Sequence, residues 1–314
     1  MPHIAYIFPG QGSQVVGMGQ ALAGSLAAAA AVFAEADQLL GFSLSDLCFN
    51  GPAEALNQTI NTQPALFVTS IAAWRAIEAA LGQAPPAQFV AGHSLGEYSA
   101  LVAAGVLSFA DGLRLVRLRG QLMGEADETA PGGMAAILAL DAAAVDAVCA
   151  EARTLTGGVV QVANYNSPGQ VVISGDDASL AQALEIAKAR GARKSIRLPI
   201  SIAAHSPLMA PAAVEMSRAI TATDLWPPRT PVVSNITALP LTTVEEIRRE
   251  LVGQLTAGVR WEDSVRMMAA EGADLFIEIG AGNVLTGLVK RIVKDVGALN
   301  VGDAAGIEQM RALL

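Results

Sequence analysis

The arrangement of apolar and polar positions changes twice along this chain. It opens with Ile4-Ala5-Tyr6-Ile7-Phe8, an unbroken apolar run too short for a helix, so His3 to Phe8 is expected as a buried strand. A loop rich in glycine and glutamine follows, from Pro9 to Gln14. Leu66, Ser70, Ala73, Ile77 and Leu81 then recur at helical spacing, which predicts a helix over Pro64 to Leu81. Pro85-Pro86 ends that connection, and Gln88-Phe89-Val90-Ala91 reads as a second strand running into Gly92. Strand, helix and strand in alternation imply an α/β domain with a largely parallel sheet.

The first change comes after Ala130-Pro131-Gly132-Gly133. Met134 to Leu140 reads as a strand, Asp141 to Ala152 as a helix, Val159 to Ala163 and Gln170 to Ser174 as strands, Asp177 to Arg190 as a helix, and Ala192 to Leu198 as a strand. That βαββαβ order is the ferredoxin-like split unit. It would form a small subdomain over residues 131–198, inserted into a large catalytic domain made of 1–130 and 199–314. Pro199 marks the second change. Beyond it, Pro231 to Asn235 and Asp274 to Ile279 are expected strands, and Val284 to Val293 an expected helix after the turn Gly280-Ala281-Gly282-Asn283. The last dozen residues carry weak signals and are expected to fray.

Composition narrows the class of molecule. A chain of 314 residues that is 52% hydrophobic and 16% charged has material for a large core and the profile of a compact, helix-rich enzyme. Its net charge of −9 argues against nucleic acid or an anionic membrane as a partner. Residues 1–34 contain no charged side chain, but Pro9 and several glycines break the stretch and no basic start precedes it. It therefore reads as a strand, a loop and an alanine-rich helix rather than a targeting segment. Cys48 and Cys149 form no spacing motif, so neither a disulfide framework nor a metal site is expected, and a reducing cytoplasm suits them.

The candidate chemistry centres on Gly92-His93-Ser94-Leu95-Gly96, which lies between the second strand and the apolar segment Glu97 to Val102. A serine flanked by glycines at a strand-to-helix junction is a nucleophile elbow, and the glycines are needed because a Cβ would clash in the turn. Taken with the alternating elements, the elbow suggests an α/β-hydrolase-like large domain. A serine hydroxyl needs a base, and the chain has three histidines. His3 belongs to the first strand, and His93 adjoins the serine with its side chain directed away from it. His205 is left, at the second junction between insert and main domain, where a cleft would form.

These segments together resemble the malonyl-CoA:acyl carrier protein transacylases. The resemblance runs through Phe8-Pro9-Gly10-Gln11-Gly12-Ser13-Gln14, Asn61 to Leu66, Gly92 to Glu97, Arg119-Gly120, Asn166 to Gln170, His205-Ser206 and Glu278-Ile279-Gly280. It implies an acyltransferase with a Ser94–His205 dyad, the histidine being steered by a main-chain carbonyl at Gln254. The residues alone leave a carboxylate partner for the histidine open. The resemblance further implies an oxyanion hole at the backbone N–H groups of Gln11 and Leu95, and substrate contacts at Arg119, Gln63, Met123, Asn166 and His93.

Arg114, Arg117 and Arg119 lie on one expected helix, where most arginines are solvated surface. The resemblance singles out Arg119 as the residue that would grip the malonyl carboxylate with two parallel hydrogen bonds. Arg190, Arg193, Lys194 and Arg197 form the densest basic cluster. By the resemblance, Arg193 and Lys194 are expected to dock an acidic carrier protein. Malonyl-CoA and acyl carrier protein are thus the implied partners, with no metal or redox cofactor, in a monomer. A trans-acting polyketide acyltransferase and a carrier-protein acyl hydrolase are the alternatives. Ile202-Ala203-Ala204-His205 matches neither His-Ala-Phe-His nor Tyr-Ala-Ser-His, the forms that accompany malonyl and methylmalonyl in related polyketide enzymes, and the small Ala204 leaves room for an α-methyl group.

Overall fold

A computed structural model describes residues 2–314. The strands among the described residues are β1 (Ile4–Phe8), β2 (Phe89–Gly92), β3 (Gly132–Leu138), β4 (Val160–Ser167), β5 (Gln170–Asp176), β6 (Lys194–Arg197), β7 (Val232–Val233), β8 (Pro240–Leu241), β9 (Leu275–Ile279) and β10 (Gly297–Val301). They build a six-stranded sheet in the order β10-β9-β1-β2-β7-β8 and a four-stranded sheet in the order β4-β5-β3-β6. In the first, β10, β9, β1, β2 and β7 pair in parallel and β8 closes one edge antiparallel. The second is antiparallel throughout.

Strand β1 shows why the parallel sheet reads as an apolar run. Ile4, Tyr6 and Phe8 point into a core containing the helix Thr59–Leu81, while Ala5 and Ile7 point into a core shared with the helices Trp261–Ala270 and Val284–Ile292. With both faces covered, nothing in the strand is free to be polar. The four-stranded sheet has its own core on one face, where Ala135, Ile137, Val162 and Ile173 pack against the helices Ala142–Thr156 and Asp177–Ala189. Its other face sends Met134, Ala163 and Val172 toward the large domain. The two sheets therefore meet across a cleft.

Three segments differ from expectation. The helix expected from Pro64 begins at Thr59, so Pro64 lies inside it. Proline supplies no N–H to the carbonyl of Ile60 one turn back, and Arg117 Nη1 bonds that carbonyl instead at 2.7 Å. This helix is long and apolar enough to cross a membrane, yet most of it is buried within the protein. The strand expected over Pro231 to Asn235 shortens to Val232–Val233, because the Asn235 N–H donates to the carboxylate of Glu97 (3.1 Å) rather than to a neighbouring strand. The chain end does not fray. β10 pairs with β9, and the helix Ala304–Leu313 is capped by Asp303 and buries Ile307 and Met310.

Candidate active site

The C-terminal ends of parallel strands are where an α/β sheet gathers ligand-binding loops. Here the loop after β1 and the turn after β2 lie side by side, since those strands are neighbours. The approach is close: a Cβ on Gly92 would fall 1.9 Å from the Gly96 carbonyl carbon, and one on Gly96 would fall 2.1 Å from the Phe8 carbonyl oxygen. Ser94 between them adopts φ 52°, a left-handed conformation that costs a non-glycine residue about 1–3 kcal/mol. The backbone N–H groups of Gln11 and Leu95 bond no other group among the described residues, and both residues line the cavity at Ser94. They meet the first requirement of an oxyanion hole, donors not already occupied.

Ser94 Oγ lies 2.8 Å from His205 Nε2. The other ring nitrogen, Nδ1, faces the carbonyls of Gln254 (2.9 Å) and Ala257 (3.0 Å). A carbonyl only accepts, so Nδ1 carries the proton and Nε2 is left as an acceptor facing the serine hydroxyl. Both carbonyls lie in the turn just past the helix Val244–Gly253, and neither accepts a backbone N–H among the described residues, so both are available to the imidazole. Burial, and then the charge of Arg119, pull the His205 pKa down to about 3. The ring is therefore neutral near pH 7, as a base must be.

The three arginines of the helix Phe109–Thr129 take separate paths. Arg114 pairs with Asp111 at the surface, and Arg117 bonds Ile60 and Asn61 and lies over the Phe42 ring. Arg119 is 2% exposed. Its Nη1 donates to Gln63 Oε1 (2.8 Å), and its Nη2 to Ser94 Oγ (3.1 Å) and Gln254 Oε1 (3.0 Å). No carboxylate pairs with it among the described residues, and its Nε is unpartnered. A buried guanidinium without an anion, bonded to the candidate nucleophile, is a costly arrangement unless a ligand supplies the charge.

A model of the acyl transferase domain matches residues 5–312. The chain belongs to the acyl transferase family. Within it, the chain is 46% identical over 98% of its length to the malonyl CoA-acyl carrier protein transacylase of Bacillus subtilis, covering 96% of that protein. The crystal structure of an acyl carrier protein S-malonyltransferase from Vibrio cholerae superposes with TM-score 0.94 at 44% identity, covering 98% of this chain and 99% of that one. A malonyl-transacylase solved in complex with a type II PKS acyl-carrier protein gives TM-score 0.95 at 41% identity, covering 99% and 100%.

In the acyltransferase a half-open cavity of about 210 Å³ lies in the cleft between the sheets. That lies below the roughly 300–1,000 Å³ of pockets for drug-sized ligands and suits a short acyl group. Ser94, His205, Arg119, Gln11, Leu95, His93, Met123 and Asn166 all line it. His93 Nε2 bonds Asn166 Oδ1 at 2.8 Å, which ties the elbow to the four-stranded sheet. Gln63 does not line the cavity. It is fully buried behind Arg119, with its Nε2 against Met123 Sδ (3.2 Å), so it reaches a substrate only through the arginine. Gln254 likewise sits behind His205.

Arg193 and Lys194 are exposed at the β6 edge of the four-stranded sheet. Arg190 and Arg197 form ion pairs with Glu151 and Asp177, which leaves Arg193 and Lys194 as the cluster's members without an ion pair among the described residues. Sequence reasoning missed Asn235, Glu97, Ala257 and Gln161. Gln161 Nε2 donates to the His205 carbonyl (2.7 Å) and so fixes the backbone carrying the imidazole. Glu97 offered a signal: a lone carboxylate inside an apolar segment, in a chain so poor in charge, must be partnered.

Proposed function

We propose that this acyltransferase moves a malonyl group from malonyl-CoA to the phosphopantetheine thiol of an acyl carrier protein, a loading step of fatty acid synthesis. The observation that carries the reading is Arg119, a buried cation that lacks an anion and touches Ser94. Malonyl is a short acyl group with a carboxylate two bonds from its thioester carbon, so one ligand can meet both the hydroxyl and the guanidinium. An acyl hydrolase acting on neutral acyl groups would leave that cation unpaired.

The cycle runs in two matching halves. Ser94 Oγ attacks the thioester carbonyl while His205 Nε2 takes its proton, and the oxyanion sits on the N–H groups of Gln11 and Leu95. The C–S bond breaks and the proton leaves with the coenzyme A thiolate. The carrier's thiol then gives its proton to His205 and attacks the malonyl-serine ester. The C–O bond breaks, and Ser94 recovers its proton. Atoms and electrons balance without a metal or redox group. Apolar walls from Met134, Val172, Ile200 and Leu288 disfavour water in the second half.

Arg193 and Lys194 serve as the landing point for the acidic carrier. From β6 the chain passes through Leu198 and Ile200 directly into the cavity wall. Buried, unpaired Cys48 and Cys149 suit a reducing cytoplasm, and the protein is expected to act as a monomer. Ala204 lines the cavity, so methylmalonyl should be accepted as a minor substrate, and competition between the two thioesters would show it. The deciding experiment is intact-mass measurement after malonyl-CoA, then after a phosphopantetheinylated carrier. A malonyl adduct on Ser94 that moves to the carrier is expected, and failure to form any adduct would overturn the proposal.

A further inference from the structure

Asn235 lies just beyond β7, beneath the elbow, and is 3% exposed. Its side-chain Oδ1 accepts the Ser94 backbone N–H at 2.7 Å, and its Nδ2 donates to the Gly92 carbonyl (2.8 Å) and to Glu97 Oε1 (2.9 Å). One amide thus grips the turn on both sides of the residue whose backbone is strained. Asn235 is itself fixed by its own main chain, where the N–H donates to Glu97 Oε1 (3.1 Å) and the carbonyl accepts the Arg260 N–H (2.8 Å).

We infer that Asn235 is a positioning residue for the acyl transfer, holding Ser94 in its left-handed conformation so that Oγ meets His205, with Glu97 as its anchor. This rests on Ser94 being the nucleophile. Glu97 is fully buried, and its other oxygen, Oε2, accepts from Gln254 Nε2 at 2.5 Å. Gln254 in turn accepts from Arg119 through Oε1 and from His205 through its backbone carbonyl. One buried carboxyl therefore links the elbow, the imidazole holder and the arginine holder. A left-handed serine could relax at little cost if its N–H were unheld, because the strain favours release. An asparagine is required in this place. It accepts from one group and donates to two others, which neither aspartate at neutral pH nor an aliphatic residue can do.

The test reads the rate of malonyl-Ser94 formation by rapid-quench intact mass, with malonyl-CoA affinity measured separately in a S94A background. N235A should slow acylation by about 10²-fold, the cost of a small misplacement of reacting groups, while the affinity of S94A/N235A stays near that of S94A. N235D adds a pH readout. The charged groups around that position are Glu97, Glu250 on the helix Val244–Gly253, Arg119 reached through Gln254, and the Arg260–Asp263 pair on the outer side. Beside Glu97 the new carboxyl should stay protonated to higher pH than a solvated aspartate, and only when protonated can it both accept and donate.

Acylation by N235D should accordingly rise as pH falls from 8 to 5, a limb the parent protein lacks. Parent-like acylation by N235A, or a parent-like pH profile for N235D, would overturn the inference. If N235A does not fold, the N235D profile decides. Absence of the adduct in the parent protein would instead remove the nucleophile assignment, so the two failures are told apart.

Discussion

The six-stranded and four-stranded sheets contribute to the same cleft in different ways. The parallel sheet delivers Gln11, Ser94 and Asn235 from the ends of three adjacent strands, β1, β2 and β7, and its helices add Arg119 and Gln254. The antiparallel sheet delivers Asn166 and Gln161, which touch His93 and the His205 backbone, together with an exposed basic edge. Parallel strands end on the same side, so neighbouring loops converge at one point. Antiparallel strands alternate their ends, so they offer a wall and an edge. Chemistry is thus expected to reside in the large domain, and shape and partner recognition in the insert.

Removing the reacting groups should give the largest effects. S94A should abolish the acyl adduct, and H205A should slow its formation by about 10²–10⁴-fold, the usual worth of a positioned base. Next comes R119A, which should lower malonyl loading about 10²-fold, from loss of charged hydrogen bonds worth about 1.5–3 kcal/mol. Acetyl loading should survive. Equal loss of both in a competition assay would make the arginine merely structural.

A third measurement concerns acidity. Since burial and Arg119 hold the His205 pKa at about 3, acylation at low substrate should show no loss on acidification through pH 6.5, where an ordinary histidine would become protonated and cease to act as base. Taking away the arginine's charge removes the second-largest of the causes that lower it, so the acid limb of R119A should move upward. The same shift bears on stability. The unfolded histidine takes up a proton below about pH 6.5 and the folded one does not, so its contribution is fully present above 6.5 and is lost as pH falls toward 3.

The smallest effect is the one that tests the division of labour. The charge reversals R193E and K194E should leave loading from malonyl-CoA intact but slow transfer to the carrier about tenfold, more at low salt than at high. If both half-reactions fell together, the insert would be a structural part of the catalytic domain and the contrast would fail.

Much of this was legible in the chain, and the exceptions are physical. Strands β1 and β2 announced themselves because burial on both faces leaves no polar residue. The elbow did so because its glycines answer a steric demand. The early start of the helix at Thr59 was hidden because the penalty of Pro64 is met by Arg117, 53 positions further along the chain. β10 was hidden because this edge strand buries only Val301 fully, which leaves no apolar run to notice. Among the three arginines on one helix, periodicity could not choose; the resemblance pointed to Arg119, and tertiary packing is what turns it inward. Asn235 and Glu97 act through contacts 138 positions apart, a pairing that no local pattern encodes.

The stretch from Leu198 to His205 begins next to the basic rim and finishes at the imidazole. Even fully drawn out, eight residues reach no further than about 28 Å. On the proposed function, partner approach and proton transfer are therefore tethered to each other by a short cord, which can accept new side chains but tolerates little change in length.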